Sequence, residues 1–191
     1  MTREKQPSVP GAGVLGMTIF LVSLSVLFAA SIVGYLMVRV RSPQWVPPGT
    51  APLPLGLWLS TFLLLLSSVT MHGAVLFMRG GKREASTRLL GATLGLGAAF
   101  LLCQIFNWWR MVTVDAVLAT RSLYAFTFYM LTGLHALHVL GGLIPLVRTT
   151  WRAHRGAYSW ADFHGIRLMA MYWHFLDAVW IVLFVVLQLA T

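Results

Sequence analysis

Five long apolar runs decide what this chain can fold into. They fall at about 14–38, 55–78, 89–109, 122–147 and 168–190, and each meets the roughly 20 residues an α-helix needs to cross about 30 Å of hydrocarbon. Within them a single charged residue, Asp177, occurs. A hydrophobic share of 58% against 10% charged residues separates the chain from ordinary soluble domains. The first run is too long for the apolar core of a secretory signal and has no good cleavage site at its end, so it counts as a span. The predicted fold is all-α: one membrane domain over residues 1–191 with five transmembrane helices.

The basic residues orient these spans. If sides alternate with each crossing, the N-terminal tail, the loop Arg79–Arg88 and the loop Arg148–Arg167 share one side. Together they hold Arg3, Lys5, Arg79, Lys82, Arg83, Arg88, Arg148, Arg152, Arg155 and Arg167. The other side has Arg39, Arg41, Arg110 and Arg121. Ten against four places the N terminus in the cytoplasm and the C terminus in the periplasm. The net charge of +9 then serves topology and attraction to anionic headgroups, and calls for no nucleic acid.

Little of the chain lies outside the bilayer. Proline in "RSPQWVPPGTAPLP", Arg41–Pro54, predicts an extended outer segment. "RGGKREASTR" reads as a tight basic turn whose Ser86 or Thr87 caps the next helix. The last loop is the longest and is expected to lie partly along the membrane surface. Trp58, Trp108, Trp109, Trp151 and Trp160 sit near span ends, as interfacial tryptophans do. No internal repeat or phosphate-binding loop is visible. Cys103 is the sole cysteine, which excludes an internal disulfide and a thiolate metal cluster.

A few polar residues lie at depth. Counted at 1.5 Å per residue from the arginine-rich side, His72 and His174 come about 9 Å into the membrane, and His138 and Asp177 about 14 Å. His135 and His138 are three residues apart, as are His174 and Asp177, so each pair shares a helix face. Trp173, Asp177 and Trp180 form one stripe, which must pack on protein because lipid offers a carboxylate no partner. Gly133, Gly141 and Gly142 leave flat patches on the fourth helix where another backbone can come close. Three uses compete for the histidines and the aspartate. They can hydrogen-bond between helices and fix packing. They can ligate haem, with His72 facing His138 or His174, although His135 and His138 are too close to serve two stacked haems. They can carry ions or protons, although a transporter usually shows two related halves with broken helices and none is visible.

Motifs add what spacing does not decide. "MYWHFLDAVWIVLF", Met171–Phe184, resembles the last-helix signature of subunit III of the haem–copper terminal oxidases. "TGLHALHVLGGLI", Thr132–Ile144, is similar to that subunit's TGxHxxHVxxG motif. "LGMTIFLVSLSVLFAA", "LLLLSSVTMHGAV" and "LGLGAAFLLCQIFNWW" resemble three further helices of the family, in order. Five spans match the short bacterial form. The resemblance implies a non-redox subunit of a bacterial inner-membrane respiratory complex that takes electrons from cytochrome c or quinol to oxygen. Haem and copper would lie in partner subunits I and II, with none in this chain. Such a subunit packs on subunit I, holds structural phospholipids in a cleft and supports proton uptake. His72, His135, His138, His174 and Asp177 would form a polar, helix-linking network. The chain departs from the family at Leu24, which follows Ser23, and at Asn107, where relatives often carry glutamate. That departure keeps an accessory subunit of a nitric oxide reductase as an alternative. From other classes, a membrane cytochrome b and a small transporter compete.

The orientation has a direct test. A reporter fused after Thr191 is expected to behave as exported, and one inserted within Arg79–Arg88 as cytoplasmic. The reverse pattern would mean an error in the number of spans.

Overall fold

The computed structural model describes residues 11–42, 45, 55–113 and 122–190. Within them the chain forms five α-helices: α1 (Ala12–Arg41), α2 (Gly56–Arg79), α3 (Arg83–Thr113), α4 (Leu123–His154) and α5 (His164–Ala190). All five are long and apolar enough to cross a membrane. They outrun the apolar runs at several ends because basic residues there continue the helix into the headgroup layer. Arg148, Arg152 and His154 finish α4, while Arg83 and Arg88 begin α3.

The α2–α3 turn is shorter than the basic stretch suggests. Gly81 takes a left-handed conformation (φ 76°), and the amide of Lys82 bonds back to the carbonyl of Phe77. This is how a glycine closes a helix C-terminus. Neither residue expected to cap α3 does so. Ser86 lies inside the helix and donates to the Ala74 carbonyl of α2 (2.7 Å), and Thr87 donates to the Arg83 carbonyl of its own helix (2.9 Å). Most of the proline-rich segment Arg41–Pro54 falls outside the described residues. In the α4–α5 connection, Gly156 has φ 72° and Tyr158 tucks into the core. Trp151 and Trp160 stay exposed at that end, while Trp108 turns inward and donates from Nε1 to Thr132 (3.1 Å).

Helices α2, α3, α4 and α5 form a closed ring in which each packs on the next and α5 returns to α2. Among the described residues α1 touches only α4 and α5. Its buried side chains are Leu24, Phe28 and Tyr35, a single stripe at spacings of four and seven. The centre of the ring holds Phe100, Phe128, Trp173 and Trp180. Both ends are latched by arginine. Arg39 of α1 donates to the Leu189 carbonyl at the end of α5 (3.0 Å), and Arg83 donates to the Gly156 carbonyl across the other end. Free carbonyls at a helix C-terminus are natural partners for a guanidinium.

The fourth-helix glycines differ in what they meet. A methyl at Gly142 would run into the ring of Tyr172, whereas Gly133 has only the Trp108 ring at 4.0 Å and Gly141 has no atom within 4 Å. Close approach inside this chain is therefore a property of Gly142. The packing role expected for Gly141 does not arise from these five helices, because its face opens onto a groove. Gly142→Leu is expected to destabilise the isolated chain by about 1–3 kcal/mol through overpacking. Gly141→Leu should leave the unfolding midpoint in detergent near that of the parent. Equal losses at both positions would refute this division.

Candidate functional site

The polar residues at depth gather along the seam between α5 and α2. Trp173 donates from its indole nitrogen to Ser67 (2.9 Å), and Trp180 donates to Thr61 (3.0 Å). Ser67 and Thr61 spend their own protons on Leu64 and Leu57 carbonyls of α2, at 2.7 Å each. Their oxygen lone pairs are thereby free to accept from α5. Both tryptophans are almost wholly buried, and Gly97 of α3 makes room for the Trp173 ring. The stripe read from spacing is thus a pair of cross-helix hydrogen bonds running in antiparallel register.

Asp177 lies between the two tryptophans and is 4% exposed. Neither carboxylate oxygen has a hydrogen-bond partner. The nearest cationic candidate, His174 Nδ1, stands 3.9 Å from Oδ2, beyond hydrogen-bond reach. That nitrogen is 2.8 Å from the hydroxyl of Ser68. The His72 ring of α2 lies 6.0 Å from that of His174. Ser68, Val69, His72 and His174 line a shallow groove of about 390 Å³ on the outer face of the seam.

The other two histidines stand apart from this cluster, and the single five-residue network expected from the sequence is corrected here. His135 is fully buried in an aromatic box, with Trp180 at 4.9 Å, Phe100 at 5.8 Å and Phe28 at 6.2 Å between ring centroids. Neither of its ring nitrogens is hydrogen-bonded. His138 donates from Nδ1 to the Leu134 carbonyl (2.7 Å) and rests on the edge of Phe28. The Tyr172 hydroxyl donates to the His138 carbonyl (2.8 Å). Three residues along a helix turn the side chain by about 60° from eclipsed. That suffices to send His135 into the ring and His138 to its α1 edge.

His138 also lines a second hollow, an apolar groove of about 440 Å³ between α1, α4 and α5. Met17, Phe20, Gly141, Pro145 and Leu168 form much of its wall. Sequence reasoning missed Ser67, Ser68, Thr61 and Gly97. A serine in an apolar run looks the same whether or not a neighbour uses its oxygen. Among the described residues no three His, Cys, Asp or Glu side chains group as metal ligands.

Comparison with known proteins decides among the readings. The chain is 34% identical over 182 residues to cytochrome c oxidase subunit 3 of Synechocystis sp., covering 94% of this chain and 76% of that one. It is 32% identical to the same subunit of Thermostichus vulcanus, covering 95% and 89%. It is 31% identical to quinol oxidase subunit 3 of Bacillus subtilis, covering 95% and 88%. The nitric oxide reductase, cytochrome b and transporter readings are not favoured by these matches. With five helices fit to span, the chain is a multi-pass protein of the bacterial inner membrane. The family profile for Cytochrome c oxidase subunit III matches residues 5–190, so the chain belongs to that family and is an accessory subunit of a haem–copper oxidase.

Proposed function

We propose that this subunit docks on the oxidase's subunit I, with subunit II in the same complex, and steadies the catalytic core during oxygen reduction. The match along almost the whole bundle carries this reading. In the proposed arrangement haem and copper reside in the partners, the N terminus is cytoplasmic, and this chain supplies packing, lipid contact and support for proton uptake. The groove between α1, α4 and α5 suits a phospholipid acyl chain, since its walls are apolar and it lies at the level of the hydrocarbon.

Asp177 is the informative residue. A buried carboxylate without hydrogen bonds burdens an isolated fold, and replacing it by an apolar group of similar size relieves the burden. Its presence at this depth points to a use in the assembled enzyme, where it sets the environment of His174. Affinity purification of the tagged chain in mild detergent is expected to bring down the large haem-bearing subunits, and the chain freed of partners should show no Soret band. A stoichiometric haem signal from the isolated chain, lost in His138→Ala or His72→Ala, would overturn the reading.

Asp177→Leu should raise the stability of the isolated chain by about 1–3 kcal/mol while lowering its retention in the complex. Asp177→Asn, which keeps shape and an acceptor, should assemble and take up protons at the parental rate. A fully assembled Asp177→Asn enzyme with slowed proton uptake would make Asp177 a proton carrier instead of a structural group.

A further inference from the structure

The groove between α1, α4 and α5 has mostly apolar walls, but its middle leaves several polar atoms unbonded. His138, half-buried on this wall, spends its Nδ1 proton on the Leu134 carbonyl (2.7 Å). A neutral imidazole bonded in this way carries a lone pair on Nε2, and that nitrogen has no hydrogen-bond partner. Tyr172 of α5 spends its own proton on the His138 carbonyl (2.8 Å). Pro145 lies inside α4 and has no N–H, so the carbonyl of Gly141, four residues earlier, lacks its usual helical donor. Gly141 adds no side chain of its own, and nothing comes within 4 Å of where its Cβ would stand.

The middle of this groove is therefore a site of acceptors. Its protons are committed, and the lone pairs of His138 Nε2, the Tyr172 hydroxyl and the Gly141 carbonyl are what remain. His138 lies about 14 Å inside the arginine-rich end of the membrane. The other hydroxyl on this wall of α4, that of Thr149, comes eleven residues later, about 16 Å toward the headgroups. A phospholipid acyl chain suits the walls but brings no donor to the depth of His138. Phe20 of α1 and Tyr172 border the same space, with ring centroids 6.0 Å apart and planes tilted by 30°. A flat ring finds aromatic surface there. The volume, about 440 Å³, is that of a small-molecule site.

We infer that this groove binds a lipid-soluble phenol of the hydroquinone type. Its ring hydroxyls donate to His138 Nε2 and the Gly141 carbonyl, and its apolar tail lies along the walls that an acyl chain would otherwise occupy. The oxidised quinone has lost both O–H groups and can only accept, so it sets lone pairs against lone pairs. The groove therefore distinguishes the two forms and retains the reduced one. Tyr172 is a positioning residue, because its bond to the His138 carbonyl holds the aromatic wall beside the acceptors. The inference goes beyond the oxidase reading and does not depend on it.

Competition for photolabelling tests it. A decyl hydroquinone and its dimethyl ether share shape and apolarity, and only the first has O–H donors. A diazirine-bearing decyl hydroquinone is expected to label the full chain in mild detergent on peptides containing Met17 and Phe20 or Leu168 and Tyr172. The unlabelled hydroquinone should compete about tenfold or more better than the ether, the worth of one or two hydrogen bonds. His138→Leu should erase most of that preference and leave competition by the ether unchanged. If the ether is also weakened, the groove has collapsed, and Gly141→Leu decides. That variant fills the groove from a position that meets no atom within 4 Å, so labelling must fall while the unfolding midpoint holds. Equal competition by the ether or by phosphatidylglycerol would overturn the inference and leave an acyl-chain groove. Label elsewhere on the chain, no label, undiminished labelling of Gly141→Leu, or an intact preference in His138→Leu would overturn it as well. The label is mapped on this chain, so the result stands whether or not large subunits co-purify.

Discussion

Hydrocarbon supplies no hydrogen bonds, and the arrangement of this subunit follows from that. Helices satisfy the backbone, and what remains is a small number of side-chain donors and acceptors. The seam between α2 and α5 handles them by division of labour. Serine and threonine protons return to their own helix, and the oxygen lone pairs left over receive the indole N–H groups of Trp173 and Trp180. Two large rings are thereby held in fixed orientation inside the ring of four helices. Phe100 meets Trp180 edge to face, His135 lies tilted against the same ring, and Gly97 yields to Trp173. Where helices gain nothing from expelling water, such shape-matched contacts and bridging hydrogen bonds are the available sources of cohesion.

The exceptions to full satisfaction carry the functional interest. His135 has no hydrogen bond yet is enclosed by aromatic rings, so its polarity is sequestered inside the chain. His72, His174 and Asp177 are also short of partners, but they stand beside a groove that opens outward. The first arrangement is a packing unit. The second leaves polar groups beside an open groove on the bundle's outer face.

Much of this was readable from the residues, and the failures share a cause. The five spans follow from length and apolarity alone, because a bilayer leaves no other fold for such runs. The stripe of Trp173, Asp177 and Trp180 follows from spacing on one helix. Spacing gives height and face within a helix, but not which neighbour that face meets. Depth therefore groups His138 with His174, and the resemblance adds His135, although the rotation of α4 sends both elsewhere. Gly141 and Gly142 are neighbours in sequence, and only the placement of Tyr172 on α5 distinguishes them. Ser86, a plausible cap by type, lies one turn inside a helix that begins at Arg83.

The attachment of α1 bears on how the chain is made. Translation delivers α1 to the membrane first, yet the helices it packs on, α4 and α5, are delivered last. During synthesis α1 therefore waits in the bilayer for α4 and α5, its neighbours among the described helices. A span in that position must be tolerable alone, and this one is, since its serines and threonine bond to their own backbone and almost every other side chain is apolar. The α2–α3 hairpin, joined by a three-residue turn, assembles in the meantime. Completion of the bundle is then set by the arrival of α5, which closes the ring onto α2, offers the Leu189 carbonyl to Arg39 and captures α1 last.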